Sequence, residues 1–282
     1  MTEPKIGPMS LLQPAGEAAA APAAPWTRAN LPDLPSFDAA SVLAQWRRLH
    51  AGQGNFDPPA QGSELLDGWV HYHNGDFERA VAIGLRHGGR DGLALANRAA
   101  AIHANYVEPR DAARLALFRQ VADRAGEQAH REPDDCQAHY WQAYALGRYS
   151  QGVSVAKALA LGLGGKLKGA LERIVEVQPQ HSDAHLALGV FHAEVIDKVG
   201  PLVGRMTYGV RPELAIGFFE RGLALNPHTI SGLMEYAHGL LMLHGDSHEE
   251  QAAALFERAA NCAPADARER LDVEQARAAL AD

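Results

Sequence analysis

The sequence has few of the residues that hold a disulfide-bonded or metal-stabilised small fold together. Only two of its 282 residues are cysteines, Cys136 and Cys262, and neither stands in a CxxC pair or at zinc-finger spacing from a histidine. A disulfide framework and a structural zinc site are therefore not expected. Two plain thiols fit a reducing compartment, so the sequence predicts a cytoplasmic protein.

Long apolar runs and an excess of positive charge are also missing. No stretch approaches the roughly 20 apolar residues that a membrane-spanning helix needs, so no membrane span and a soluble folded body are predicted. The chain carries 26 Lys and Arg against 34 Asp and Glu, a formal charge of −8, which argues against nucleic acid as a partner. Aromatic residues make up only 7% of the chain. With many Ala and Leu, this composition favours helices over sheets.

The first 36 residues differ in composition from the rest of the chain. They are crowded with Ala and Pro, which forbid a continuous helix and offer little to bury, so this segment is predicted to be a disordered tail. A secretory signal would need an unbroken apolar stretch of about 7 to 15 residues. Gln13, Pro14 and Glu17 interrupt the best candidate. An exported periplasmic accessory or assembly factor is kept as an alternative.

A sequence motif that ends in proline recurs along the second half of the chain. Its copies share a small residue, an aromatic residue four positions later, a second small residue and the closing proline. They read AIGFFERGLALNP, ending at Pro227, and AAALFERAANCAP, ending at Pro264. A looser copy, GKLKGALERIVEVQP, ends at Pro179. Small residues let two helices approach closely, the aromatic ring fills the space between them, and proline ends the helix.

The copies of this motif resemble the second helix of the tetratricopeptide repeat (TPR) family. The segment HLALGVFH, which runs from His185 to His192, stands where that family has the Trp, Leu, Gly and Tyr of its first helix, with His in place of both aromatics. The resemblance implies an all-α fold, a right-handed superhelix of antiparallel helical hairpins with a C-terminal capping helix. It also implies a non-catalytic scaffold or adaptor that binds a partner protein or peptide in its concave groove.

The repeats are longer than the family standard. The closing prolines Pro133, Pro179, Pro227 and Pro264 are separated by 46, 48 and 37 residues. A standard unit has about 34. The excess residues lie between the two helices of their units, in 152–165 and 196–209. This spacing of the repeats, over about 134–264, resembles that of the regulator-of-microtubule-dynamics type of TPR protein and its bacterial relatives. Microtubule binding is not inferred, because the chain and a microtubule surface are both acidic.

The closing prolines and the repeated segments divide the chain into five regions. They are a disordered tail (1–36), an N-terminal helix and loop (37–60), degenerate TPR-like hairpins (61–133), TPR hairpins with two long inter-helix extensions (134–264) and a capping helix (265–282). The predicted helices are 38–51, 63–74, 76–88, 91–106, 110–131, 135–150, 154–177, 182–199, 211–225, 229–244, 247–262 and 266–281.

The concave groove of a TPR superhelix is lined by first-helix side chains, which predicts a binding surface. The predicted groove residues are Trp69, Tyr72, Tyr140, Tyr144, Arg148, Leu186, Met234 and His238. The two tyrosines a turn apart, with Arg148 one turn further, suit a peptide because aromatic rings give a large contact area at low entropic cost. The positions of a carboxylate clamp hold Leu65, Tyr140, Leu186 and Met234, so chaperone C-terminal peptides are not expected.

A histidine face supplies the alternative hypothesis of a metal-binding protein or enzyme. His181, His185 and His192 could share one side of a helix. The segment HSDAH lacks the Glu of the HExxH motif, and the glycines before Lys166 lack the Ser or Thr of a phosphate-binding loop. No cofactor, metal ion or catalytic residue is therefore predicted, and the favoured hypothesis is not an enzyme.

Overall fold

The computed structural model describes residues 36–281 together with Trp26, Leu31 and Leu34. Within these residues the chain forms α-helices and one 3-10 turn and no β-strand, which confirms the predicted all-α fold. The helices are α1 (Ala39–Leu49), α2 (Glu64–His73), α3 (Phe77–His87), α4 (Gly89–Tyr106), α5 (Asp111–Arg131), α6 (Cys136–Gln151), α7 (Val155–Ala160), α8 (Leu163–Val177), α9 (Ser182–Val199), α10 (Pro201–Tyr208), α11 (Pro212–Leu225), α12 (Ile230–His244), α13 (Glu249–Ala260) and α14 (Ala267–Ala279). The predicted tail lies almost entirely outside the described residues.

Two features of the helix map differ from the sequence prediction. The single helix expected over 154–177 is divided into α7 and α8, because Gly162 adopts a left-handed conformation with φ of +63°. Helix α10 was not predicted in a segment rich in glycine. Pro201 occupies its first turn, where a missing N–H costs nothing, and Gly200 and Gly209 bound it with φ of +83° and +71°.

Neighbouring helices pack against each other in sequence order along most of the chain. Helix α2 packs against α3, α5 against α6, and α12 against α13. At the two extensions the pairing passes over the inserted helix, so that α6 packs on α8 and α9 on α11. Helix α7 has no buried residue and α10 buries only Gly204. The extensions therefore lie beside the stack of hairpins.

The small and aromatic residues of the repeated motif lie where helices meet. Ala215 and Phe219 are fully buried, and Gly222 faces the first helix of the same unit. A Cβ atom at Gly222 would lie 2.5 Å from Cγ of Leu186, closer than side chains pack. The residues of the motif thus form the helix–helix contact that their spacing predicted.

The last helix returns to the first half of the protein. Arg48 of α1 makes two hydrogen bonds of 2.5 and 2.8 Å to the carboxylate of Glu269. The hydroxyl of Tyr106, at the end of α4, donates to Asp272, which is buried. Helix α14 therefore does more than cover the end of the array, because it also fills the inner side of the N-terminal hairpins.

Candidate functional site

The inner side of the second half of the array contains a pocket of about 210 Å³. It lies between α6, α8, α9 and α12, and most of its lining is apolar. The lining side chains include Ala143, Tyr140, Tyr144, Leu163, Leu167, Leu171, Leu186, Ala187, Val190, Phe191 and Val195. Helix α14 contacts α1 and α2 in the first half of the array, through Arg48 and His73, whereas this pocket lies in the second half.

One wall of the pocket is formed by α6. Tyr140, Tyr144 and Arg148 follow one another at intervals of four residues and therefore share one face of the helix. The two tyrosine rings have centroids 6.3 Å apart, and the guanidinium carbon of Arg148 lies 5.4 Å from the centre of the Tyr144 ring. Burial raises the pKa of both tyrosines, so their hydroxyls stay protonated and can donate hydrogen bonds.

Two polar bridges cross the pocket and fix the distance between its walls. Arg148 of α6 donates to Glu235 of α12 at 2.6 Å. Burial alone would lower the pKa of Arg148, but the carboxylate of Glu235 holds it well above its usual value. Gln151 donates to Glu194 of α9, which also pairs with Lys198 at 3.4 Å. The pocket therefore has an apolar interior and charged groups spanning it.

The two extensions supply the remaining wall. Val155 and Leu159 of α7 line the pocket, and so does Tyr208 of α10. The ring of Tyr208 lies against Gly164, where an added Cβ would be 2.9 Å from the ring. The extensions meet at this point, so they deepen the pocket rather than lengthen the stack of hairpins.

Helix α14 closes the pocket on the side of the N-terminal hairpins. Arg268 lines the pocket, donates to Ser231 of α12 at 2.7 Å and lies 3.6 Å from Asp272. Burial raises the pKa of Asp272 to about 6, although the charge of Arg268 opposes this shift. The hydrogen bond from Arg268 to Ser231 joins α14 to α12 beside the pocket.

Half of the predicted groove residues line this pocket. Tyr140, Tyr144, Arg148 and Leu186 are brought together there. Met234 instead packs into the core between α11 and α13, and His238 lies against Phe256 with ring centroids 4.9 Å apart. The prediction was off by one residue in α12, where Ser231, Gly232 and Glu235 line the pocket. A shift of one residue corresponds to about 100° of rotation around the helix axis, so the prediction assigned the wrong face of α12 to the pocket.

Trp69 and Tyr72 were also predicted in the groove, and this placement was wrong. Trp69 is 1% exposed because Trp46 of α1 and Phe56 of the following loop cover it, with ring centroids 5.5 and 5.6 Å away. Tyr72 is fully buried, and its hydroxyl accepts a 2.8 Å hydrogen bond from Arg98. No local sequence pattern indicates that α1 folds over α2, since the contact depends on tertiary packing.

The histidine face does not converge on a common point. His181 accepts a hydrogen bond from the backbone N–H of Ala184, His185 lies 3.0 Å from the carbonyl oxygen of Pro179, and His192 accepts from the N–H of Arg211. Within the part of the chain that the structure describes, no group of three or more His, Cys, Asp or Glu side chains could hold a metal ion. The three imidazoles hold the backbone of α9 and its neighbours in place.

His181 makes the stability of the protein depend on pH. Burial lowers its pKa from 6.5 to about 4, and its role as hydrogen-bond acceptor at the start of α9 requires the neutral ring. The unfolded chain takes up the proton at a higher pH than the folded protein. The stability contributed by the neutral ring is therefore complete above pH 6.5 and decreases as the pH falls toward 4.

We expect protonation of His181 to remove about 3 kcal/mol from the free energy of unfolding over this pH range. His181→Asn keeps an acceptor at the helix start but does not titrate, so its unfolding free energy should vary less with pH by that amount. Urea unfolding at a series of pH values measures the difference. His87→Asn, the same substitution at an exposed histidine, is the control for a general effect of replacing His by Asn.

Comparison with known proteins agrees with this architecture. No protein-family model and no curated protein sequence matches the chain. Among solved structures, the chain is similar to a thermophilic TPR protein from Thermus thermophilus, with a TM-score of 0.54 and 18% sequence identity over 76% of this chain and 97% of that one. The fold is TPR-like. At this identity the similarity concerns the fold alone.

None of the helices in the described ranges has the length and apolar character needed to cross a bilayer. The site to be explained is therefore an apolar pocket on the inner side of a helical repeat.

Proposed function

We propose that the protein is a scaffold that binds a segment of a partner polypeptide in the pocket between α6, α8, α9 and α12. The observation that carries this proposal is the unfilled apolar space of about 210 Å³ on the inner side of a TPR-like array. Apolar side chains that surround unfilled space lose the packing contacts they would have in a core. An apolar anchor from a partner would restore those contacts.

The size of the pocket favours a side chain over a complete small-molecule ligand. Pockets for drug-sized ligands typically have about 300 to 1,000 Å³, which is more than this one offers. One large apolar side chain of a peptide fits the volume. The ion pairs Arg148–Glu235 and Lys198–Glu194 belong to the lining and offer both donors and acceptors to the polar backbone of a bound segment.

The chemistry of the lining supports binding rather than catalysis. The tyrosines are held protonated by burial, and Arg148 is engaged with Glu235. Outside the pocket, burial raises the pKa of the thiol of Cys136 to about 11, so it is not poised as a nucleophile. The proposal for the partner is thus an apolar or aromatic anchor in an extended or helical peptide.

The resemblance to the regulator-of-microtubule-dynamics type stays a proposal from the sequence. It is supported by the two extensions, which in the structure are the helices α7 and α10 inserted between paired helices. Binding to the partners of that group is not part of the proposal, because the resemblance rests on the spacing of repeats and not on the residues of the pocket.

Photo-crosslinking from the pocket tests the proposed function. Ala187 lines the pocket and is partly exposed, whereas Leu85 of α3 is 46% exposed and does not line it. Benzoylphenylalanine placed at position 187 or at position 85 is irradiated in lysate of the cells that make the protein, and crosslinked peptides are identified by mass spectrometry. We expect a partner segment with an apolar anchor at position 187 and not at position 85.

A pocket-filling variant provides the affinity measurement. Ala187→Trp should fill the pocket and weaken binding of the identified segment by at least about tenfold, or 1.4 kcal/mol, whereas Ala187→Ser should bind like the wild type. Fluorescence anisotropy of a labelled peptide measures both. Equal affinity of all three proteins, or the same crosslinks at positions 187 and 85, would reject the pocket as the binding site.

A further inference from the structure

The two extensions carry an exposed apolar surface that the proposed pocket explains only in part. We define the extension surface as residues 152–168 and 198–211. Of the ten large apolar side chains that are exposed in the described part of the protein, six belong to it. They are Val155, Leu159, Leu161, Leu202, Val203 and Met206. An apolar patch of this kind on an otherwise polar surface marks an interaction site.

The most exposed of these side chains lie on α10. Leu202 is 71% exposed, Val203 53% and Met206 81%. Leu202 and Met206 are one helical turn apart and Val203 is adjacent to both, so the three side chains share one side of the helix. Since α10 buries only Gly204, the helix contributes little to the core. These three large apolar side chains are therefore exposed to solvent over more than half of their surface.

The extension surface is also basic in an acidic protein. It contains six Lys and Arg residues and no Asp or Glu, although the exposed Asp197 borders it, whereas the whole chain has a net charge of −8. Four of the five lysines of the chain lie in it. Lys168 and Lys198 pair with Glu172 and Glu194.

The other cations of this surface are available to an external anion. Lys157, Lys166, Arg205 and Arg211 form no ion pair with any residue that the structure describes. They surround the apolar side chains of α7 and α10 along the sequence. A binding partner that complements this surface must therefore be both apolar and negatively charged.

We propose that the extension surface docks on the surface of an anionic lipid bilayer. Projecting apolar side chains enter the boundary between headgroups and acyl chains without a preformed complementary groove, and neighbouring Lys and Arg interact with lipid phosphates. Leu202, Val203 and Met206 lie on one short helix beside the stack and outside the lining of the pocket. The extensions meet where Tyr208 packs against Gly164, so both can contact one surface.

This arrangement would place the mouth of the pocket beside the bilayer, because Val155 and Leu159 belong to both the pocket lining and the extension surface. The proposal does not rest on the pocket having a ligand. Leu202 and Met206 are outside the pocket lining, so variants at these positions separate bilayer docking from the proposed peptide binding.

Vesicle co-sedimentation of the full chain tests the proposal. The vesicles contain phosphatidylcholine alone or phosphatidylcholine mixed with phosphatidylserine. We expect the wild type to bind the mixed vesicles, to bind neutral vesicles much more weakly, and to be released by added salt. The double variant Leu202→Ser, Met206→Ser and the triple variant Lys157→Gln, Lys166→Gln, Arg205→Gln should each lose about tenfold or more in affinity.

Controls distinguish this result from unfolding and from other occupants. Leu85→Ser combined with Leu241→Ser changes two exposed leucines elsewhere and should bind vesicles like the wild type, as should Ala187→Trp. Circular dichroism checks that every variant is folded. Failure of the wild type to bind mixed vesicles, or equal binding to neutral ones, overturns the proposal. So does light scattering that shows a dimer which Leu202→Ser, Met206→Ser converts to a monomer without any vesicle binding, since the occupant is then a second copy.

Discussion

Gly189→Leu is expected to destabilise the protein by about 3 kcal/mol or more, because it overpacks a contact that cannot widen. A Cβ atom at Gly189 would lie 2.9 Å from three ring carbons of Phe219. Phe219 is fully buried and has no space to move away. On its other side a Cβ at Gly239 would be 2.5 Å from the ring, and Tyr236 stacks on it with centroids 5.0 Å apart.

Urea unfolding of Gly189→Leu measures this effect against a matched glycine. Gly217 lies on α11 with no atom within 4 Å of a Cβ built on it. Gly217→Ala should therefore be neutral or stabilise the protein by about 0.5–1 kcal/mol, through the better helix propensity of alanine. Adding Phe219→Leu to Gly189→Leu should recover part of the loss, since the smaller side chain makes room. An unchanged midpoint for Gly189→Leu would show that α9 and α11 do not meet at this point.

Asp266→Ala is expected to cost about 3–5 kcal/mol, because it removes one member of a buried pair that holds α14 against α2. The carboxylate of Asp266 lies 2.7 Å from Nδ1 of His73, and the two side chains are 3% and 0% exposed. It also accepts a 2.9 Å hydrogen bond from the N–H of Glu269 at the start of α14. Burial would raise the pKa of Asp266, but these hydrogen bonds hold it below its usual value.

The matched variant is Asp266→Asn, which keeps an oxygen acceptor for the N–H of Glu269, replaces the oxygen that faces His73 with an NH2 group, and lacks the negative charge. It should lose less stability than Asp266→Ala, since side-chain oxygens at helix starts are interchangeable to within about 1 kcal/mol. Hydrogen exchange of α14 supplies a local measurement, because release of this helix from α2 should remove its protection in Asp266→Ala first. Equal stability of Asp266→Ala and the wild type would mean that the last helix is not held by this pair.

Most helices were predictable because their ends are encoded by residues close in sequence. Asp38 caps α1 through its side chain, Pro212 opens α11, and the closing prolines follow the second helices of the repeats. The break at Gly162 was missed because a glycine inside an apolar helix pattern does not reveal its φ angle, which here is +63°. That angle depends on how the extension packs.

The candidate site was predictable only in part. Helical spacing from the proline anchors placed Tyr140, Tyr144, Arg148 and Leu186 on an inner face, and they do line the pocket. Spacing cannot specify the rotation of α12 about its own axis, so Glu235 was missed. It also cannot show which part of an inner face is already occupied.

The sequence by itself determined an all-α array of hairpins, since small, aromatic and proline residues at fixed offsets act within one helix and its immediate neighbour. Only the tertiary structure decided where that array is open. His73 and Asp266, 193 residues apart, and Arg48 and Glu269, 221 apart, bring α14 back over the N-terminal hairpins. Contacts between residues so distant in the chain leave no periodic pattern, because their geometry arises from the curvature accumulated over every hairpin between them.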